Sequence, residues 1–193
     1  MLDNLKKYHL LLASNSPRRR ELLSQLRIPF NVINLGGIDE SYPDSLPREE
    51  VAQYIATKKA DAYTARMRDN ELIITADTVV ILGDRVLGKP KTCEEAVEML
   101  LALSDKTHKV CSGVCITTRN RRTSFSTVTE VTFGEITPEE ARYYVDNFMP
   151  LDKAGAYGIQ EWIGCVAVEK INGSYYNVMG LPVHQLYNEL ELF

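Results

Sequence analysis

The sequence lacks the long apolar run that a membrane-spanning helix needs, since no stretch in its 193 residues approaches about 20 apolar positions. The apolar run within "MLDNLKKYHLLLAS" is too short for a signal peptide, and arginines follow it at once. Internal repeats, low-complexity tracts and an obvious linker are also missing. We therefore expect one domain spanning residues 1–193, located in the cytoplasm and without a membrane partner.

A surplus of positive charge is absent as well. Lysine and arginine number 22 against 26 aspartate and glutamate residues, which gives a net charge of −4. This balance argues against a general nucleic-acid binder, so any basic cluster is local. The chain is 45% hydrophobic and 25% charged, as in folded globular proteins.

Signatures built on cysteine or histidine are missing too. The four cysteines, Cys93, Cys111, Cys115 and Cys165, have no metal-binding or redox spacing. Cys111 and Cys115 lie in a strand-like run, where residues four apart are separated by about 13 Å, so we expect buried free thiols. No Ser-His-Asp arrangement is recognisable, and we expect the three histidines to be structural or exposed.

Hydrophobic periodicity predicts alternating helices and strands, followed by antiparallel hairpins. Strands are predicted at 8–13, 30–35 and 71–82, and an irregular loop at 36–47. Helices are predicted at about 16–27, 48–67, 92–103 and 181–192, and another is predicted to begin at 137–140. A hairpin is predicted over 108–134, and a second over 164–180 with its turn at Asn172-Gly173. Capping boxes are predicted at "TCEE" and "TPEE". This order is typical of an α/β protein with a mixed sheet.

The segment "SNSPRRRELL" places three cations in the first turn of a helix capped by Ser16. Each costs roughly 0.3–1 kcal/mol against the helix dipole unless something compensates. At 100° per residue, Arg19 falls among the leucines, Arg18 at one edge of their face and Arg20 outward. An anion bound at this helix start would pair with Arg18 and Arg19 and offset the cost of their positive charges. The alternative is a solvated surface cluster, which we favour for Arg20.

Asp77 is the one charged residue between Leu72 and Leu82. A charge buried there is costly unless it is paired, and strand-end acids commonly reach the crevice where α/β sheets bind ligands. The alternative is an acid that caps a turn or a bulge.

Two glycine-containing stretches complete the candidates. "GDRVLGKP" differs from a phosphate-binding P-loop at Pro90, which stands where Ser or Thr is required, so we reject a P-loop and retain Lys89 as a phosphate ligand. In "LDKAGAYGIQ", glycine permits close backbone approach, and the Gln160 amide can both donate and accept toward a base edge.

Together, "LLASNSPRRRELLSQL", "ADTVV", "LGKP", "LDKAGAYGIQ" and "INGSYYNVMGLP" resemble the Maf family of nucleoside triphosphate pyrophosphatases, in order from residue 11 to 182. The resemblance implies an elongated mixed sheet with flanking helices and a central cleft between two lobes, as in inosine triphosphate pyrophosphatase. It also implies a homodimer and a nucleoside triphosphate as the small-molecule partner, while the acidic charge balance predicts no nucleic-acid partner.

Details of the motifs are similar to the branch of the family that acts on dTTP and UTP. The branch acting on 7-methyl-GTP tends to have tryptophan in place of Arg18 and "SDQ" at 76–78. The resemblance implies that Asp77 is the proton acceptor, and that Arg18, Thr78 and Gln160 set base specificity. The family's other polar positions fall on Ser14, Arg19, Glu40, Lys59, Lys89 and Lys153. Glu161 and Trp162 stand where relatives often have a small residue.

The expected chemistry is release of pyrophosphate from a nucleoside triphosphate. A divalent cation, Mg²⁺ or Mn²⁺, would be held by Glu40 and Asp77, since Mg²⁺ takes few protein ligands. Alternative functions are a 7-methyl-GTP or inosine-type pyrophosphatase on the same fold, and a non-catalytic nucleotide sensor that regulates septum formation.

Overall fold

The computed structural model describes residues 2–193. The strands are β1 His9–Ala13, β2 Asn31–Ile33, β3 Glu71–Leu82, β4 Arg85–Leu87, β5 Thr107–Thr117, β6 Arg122–Phe133 and β7 Val168–Asn172. The α-helices are α1 Pro17–Ser24, α2 Val51–Thr64, α3 Cys93–Leu103, α4 Pro138–Phe148, α5 Trp162–Val166, α6 Tyr175–Met179 and α7 Val183–Glu191. No helix in this described range is long and apolar enough to cross a membrane.

The strands form a mixed sheet with the order β2-β1-β3-β5-β6-β7, and β4 pairs with β3. β1 is parallel to β2 and β3, whereas the β3–β4 and β6–β7 pairs are antiparallel. β5 and β6 are sheet neighbours joined by four residues, which is long enough only for a hairpin. The predicted mixed α/β sheet with flanking helices is thus confirmed.

The chain divides into two compact units; three of the four dividing points fall within β3, β5 and β6, and the fourth follows α6. The first unit comprises residues up to Asp77, Ser112–Thr127 and Gly180–Phe193; the second comprises Thr78–Cys111 and Val128–Met179. The expectation of one domain over residues 1–193 stays a prediction.

In the first unit, helix α2 packs closely on the sheet. The Thr75 hydroxyl on β3 donates to the Ala56 carbonyl of α2 at 2.7 Å. A Cβ added to Gly113 on β5 would lie 2.2 Å from the Gln53 backbone nitrogen, so only glycine permits this approach. Ala56 and Ala60 pack against Cys115 in the same layer. Gly113 on β5 and the two alanines on α2 therefore allow the helix to lie close to the sheet.

In the second unit, an aromatic cluster supports the loop that contains "LDKAGAYGIQ". The rings of His108, Phe133 and Tyr157 meet edge to face, with His108 and Phe133 centroids 4.9 Å apart. His108 Nε2 is 2.8 Å from the Tyr157 hydroxyl. Burial lowers the pKa of His108 to about 4, so the ring is neutral at pH 7. The histidine is structural, as predicted.

The second predicted hairpin is wrong. β7 ends at Asn172, and the segment "YYNVM" forms α6 instead of a returning strand. The reason is tertiary, because the fully buried Asn177 side chain donates to the Val110 carbonyl and to the Thr129 hydroxyl, both in this unit. These contacts outweigh the β propensity of the tyrosines and valine.

The structure also tests the predicted helix caps and buried thiols. The Ser16 and Thr137 caps form as predicted, the latter with its full capping box. At Thr92 the cap forms, but the Glu95 carboxylate accepts from the Lys91 N–H rather than completing the box. Cys111 and Cys115 are free and buried, as expected.

Candidate active site

In the first unit, Lys59 joins the two predicted carboxylates. Its ammonium lies 2.8 Å from Asp77 Oδ1 and 2.8 Å from Glu40 Oε1. The Lys59 and Asp77 side chains are each 14% exposed, whereas Glu40 is 53% exposed. Three sequence-predicted residues from α2, β3 and the loop before α2 thus meet at one point.

The sheet register explains why Asp77 is available there. Pairing of β1 with β3 ends at Ala13 opposite Thr75, so Asp77 lies just beyond the end of β1. Residues Glu71 to Ala76 are buried, and exposure begins at Asp77. The acid is therefore neither a turn cap nor a bulge but a strand residue that pairs with a lysine.

Arg19 points inward, as the helical wheel indicates. Its Nε donates to the Gly180 carbonyl and its Nη1 to the Ala76 carbonyl, both at 2.8 Å. Burial lowers the pKa of the Arg19 guanidinium below its usual value, and the nearby Asp77 carboxylate partly offsets this. The guanidinium thus binds the backbone carbonyl of Ala76, the residue that precedes Asp77, and adds a second positive charge to the site.

The turn before α1 is ordered by its own hydroxyls. Ser14 is buried, and its Oγ accepts from the Ser16 N–H at 3.2 Å. Ser16 Oγ in turn caps Arg19 N–H. Arg18 is half-buried and Arg20 is exposed, which matches the wheel. Anion binding by Arg18, Arg19 and Ser14 stays a prediction.

In the second unit, Lys153 is the buried cation. It is 7% exposed, and its ammonium lies 2.9 Å from Asp152 Oδ1 and 3.1 Å from Glu161 Oε1. The other oxygen of Glu161 accepts a hydrogen bond from the Tyr144 hydroxyl. Sequence reasoning missed Tyr144 and the pairing of Glu161, because Tyr144 lies in another element and carries no motif signal.

Two glycine-containing loops of the second unit are docked together. The Gly155 N–H donates to the Gly88 carbonyl at 3.0 Å, which ties "LGKP" to "LDKAGAYGIQ". Gly155 has φ +68°, and a Cβ there would lie 2.9 Å from Val80 Cγ2, so the position requires glycine. The side chains of Lys89 and Gln160 are exposed, and Thr78 is half-buried.

The β3–β4 connection settles the P-loop question. Gly83 and Asp84 form the turn of an antiparallel pair in which Leu82 faces Arg85. A P-loop leads from a strand into a helix, whereas this segment leads into β4. The rejection of a P-loop is confirmed.

The Glu40 and Asp77 carboxylates supply the oxygen ligands that a divalent cation takes. Within residues 2–193 no cluster of three or more His, Cys, Asp or Glu residues could hold a metal by itself. Glu40 and Asp77 nevertheless converge on one ammonium, so their oxygens can face one positive charge. Mg²⁺ is commonly held by one or two carboxylates together with substrate phosphates, and this pair fits that pattern.

Comparison with known proteins identifies the family. The model of the family described as Maf-like protein matches residues 9–193. A Parabacteroides distasonis protein named dTTP/UTP pyrophosphatase is 58% identical over 193 residues, covering 100% of both chains. A Phocaeicola vulgatus protein of the same name is 58% identical over 191 residues, covering 99% of each chain. A solved nucleoside-triphosphatase / dITP/XTP pyrophosphatase from Mycobacterium abscessus has a TM-score of 0.45 at 11% identity, covering 94% of this chain and 93% of its own. The chain belongs to the family of Maf-like proteins.

Proposed function

We propose that the protein hydrolyses dTTP and UTP to the nucleoside monophosphate and pyrophosphate. The observation that carries the proposal is the contact of Lys59 with both Asp77 and Glu40, beside the inward-facing Arg19. This arrangement offers carboxylates to a cation or a water, and positive charge to phosphate oxygens. The substrate assignment is supported by the printed names of full-length relatives at 58% identity.

In the proposed reaction, Asp77 accepts a proton from a water that attacks the α-phosphorus. A bond forms between the water oxygen and that phosphorus, and the bond to the bridging oxygen of the β-phosphate breaks. Pyrophosphate leaves with the bonding electrons. Lys59 and Arg19 place positive charge beside Asp77, which favours binding of a polyanion.

Glu40 and Asp77 are the residues that would hold a divalent cation, with Mg²⁺ or Mn²⁺ as candidates. When bound, the cation supplies charge neutralisation to the phosphate oxygens. In the second unit, Lys89 and Lys153 are proposed phosphate ligands. Arg18, Thr78 and Gln160 are proposed to read the pyrimidine, whose pairing edge presents acceptor, donor and acceptor groups.

We also propose a cytoplasmic location, which the sequence favours, and a homodimeric state and a link to septum formation, which the family resemblance implies.

The test is a nucleotide panel with Mg²⁺: dTTP, UTP, CTP, dATP, GTP and 7-methyl-GTP, with monophosphate and pyrophosphate quantified. Preferential cleavage of dTTP and UTP is expected, and Asp77→Asn should abolish turnover while circular dichroism stays like that of the wild type. Cleavage of 7-methyl-GTP alone would assign the protein to the other branch. Nucleotide binding without turnover would favour a sensor, and wild-type turnover by Asp77→Asn would remove its assigned role.

A further inference from the structure

A single hydroxyl group contacts both ends of the turn that presents Gln160. The Glu161 N–H donates to the Gly158 carbonyl at 3.0 Å, which closes a β-turn over residues 158–161. The Tyr144 hydroxyl accepts from the Gly158 N–H at 3.0 Å. The same hydroxyl donates to the Glu161 carboxylate. The first and last residues of the turn are therefore held by one oxygen atom.

The support beneath this turn is rigid. Tyr144 is fully buried on α4, a helix of 11 residues that begins with a complete capping box. Ile159, the first central residue of the turn, is 5% exposed and anchors it in the core. Gln160, the second central residue, is exposed. The backbone of the turn is thus fixed from below. The Gln160 side chain is exposed, and its Nε2 lies 2.9 Å from where a Cβ on Gly158 would stand, so the amide folds back over the start of the same turn.

The same hydroxyl also connects to the buried cation. One Glu161 oxygen accepts from Tyr144, and the other lies 3.1 Å from the Lys153 ammonium. Asp152, 54% exposed, is the second carboxylate on that ammonium. A hydrogen bond from Tyr144 on α4 to Glu161 and an ion pair from Glu161 to Lys153 therefore form a continuous path.

We infer that Tyr144 and Glu161 are positioning residues for base selection, acting through the Gln160 turn. Tyr144 fixes where the Gln160 amide stands, and Glu161 completes the clamp while holding Lys153. This inference rests on the proposed function, because it takes Gln160 to read the base. A base reader must be held within a fraction of an ångström to discriminate hydrogen-bonding edges, and the clamp supplies that constraint.

The experiment compares Tyr144→Phe with Tyr143→Phe. The control makes the same chemical change one residue away, at a side chain that is 51% exposed and whose ring packs on Trp162. The readouts are kcat/KM for UTP and CTP, and the Kd of UMP and CMP by calorimetry. Tyr144→Phe should reduce the preference for uracil over cytosine by about tenfold in both readouts, because the reading amide loses its fixed position. Tyr143→Phe should keep the wild-type preference.

A second pair of variants keeps the test decisive if Tyr144→Phe folds poorly. Glu161→Gln retains an oxygen that can accept from Tyr144 but removes the negative charge beside Lys153. Glu161→Leu removes both contacts. Glu161→Leu should lose the preference for uracil over cytosine because the Tyr144 contact is gone. Glu161→Gln should keep that preference and change the KM of UTP and the KM of CTP by the same factor.

The outcomes separate the inference from the proposed function. Unchanged uracil preference in folded Tyr144→Phe, or in folded Glu161→Leu, overturns the positioning role. A wild-type protein that prefers UMP but does not cleave UTP contradicts the pyrophosphatase proposal, while the binding ratios still test the clamp. A wild-type protein without any base preference contradicts both.

Discussion

Replacing Lys59 with methionine removes the ammonium that contacts both Glu40 and Asp77. Methionine keeps the length and apolar stem of the side chain, so packing of α2 is largely retained. What changes is the charge: two carboxylates that each lie 2.8 Å from the ammonium lose their shared cation and repel each other.

The magnitude follows from the exposure of each partner. Asp77 is 14% exposed, and breaking one partner of a mostly buried pair costs about 3–5 kcal/mol. Glu40 is 53% exposed, so solvent screening limits its share to about 0–1 kcal/mol. We expect Lys59→Met to lower the free energy of unfolding by about 3–4 kcal/mol, near the lower part of this range because solvent can relax toward the vacated site.

The assay combines urea unfolding with turnover of UTP. Loss of the positive charge should also reduce kcat/KM by about a hundredfold or more. Millimolar Mg²⁺ should stabilise Lys59→Met more than the wild type, because its carboxylates are no longer neutralised and binding to the folded state adds stability. A free energy of unfolding within about 1 kcal/mol of wild type, with unchanged turnover, would refute the reasoning.

Three further predictions concern the support of the site. Arg19→Ala should lower the free energy of unfolding by about 2–4 kcal/mol, because two backbone carbonyls lose their donor. As a control, Arg20→Ala at an exposed side chain should change it by less than about 0.5 kcal/mol. Equal effects of the two variants in urea unfolding would be inconsistent with an inward Arg19. Gly155→Ala should cost about 1–3 kcal/mol, since its φ of +68° and the contact with Val80 both oppose a Cβ; an unchanged melting temperature would show otherwise. Burial lowers the pKa of His108 to about 4 in the folded protein. As the pH falls below about 6.5, this histidine is protonated in the unfolded chain while it is still neutral in the folded protein. Up to about 3 kcal/mol of the free energy of unfolding is therefore lost by pH 4. His108→Gln should weaken this acid dependence in unfolding curves measured from pH 7.5 to pH 4.5, and an identical slope would contradict the assignment to His108.

The sequence pattern predicted those features that depend on local chemistry. The bounds of β3, residues 71–82, are predictable because its apolar run ends in turn residues on both sides. The Ser16 cap and the inward direction of Arg19 follow from spacing within a single helix. Asp77 stood out since one acid in an apolar strand requires a partner.

Contacts between distant elements were beyond the reach of such patterns. "YYNVM" has residues typical of strands, and only the buried hydrogen bonds of Asn177 make a helix the better solution. Tyr144 meets Glu161 across 17 positions through the packing of α4, which no local period encodes. The acceptors of Arg19 are backbone carbonyls, and these have no sequence signature.

The most direct test of the central claim is hydrolysis of UTP in water enriched in ¹⁸O. If water attacks the α-phosphorus, as the account predicts, mass spectrometry will find the label in UMP and none in the pyrophosphate. Label in pyrophosphate, or release of labelled orthophosphate, would show attack at another phosphorus and contradict the account.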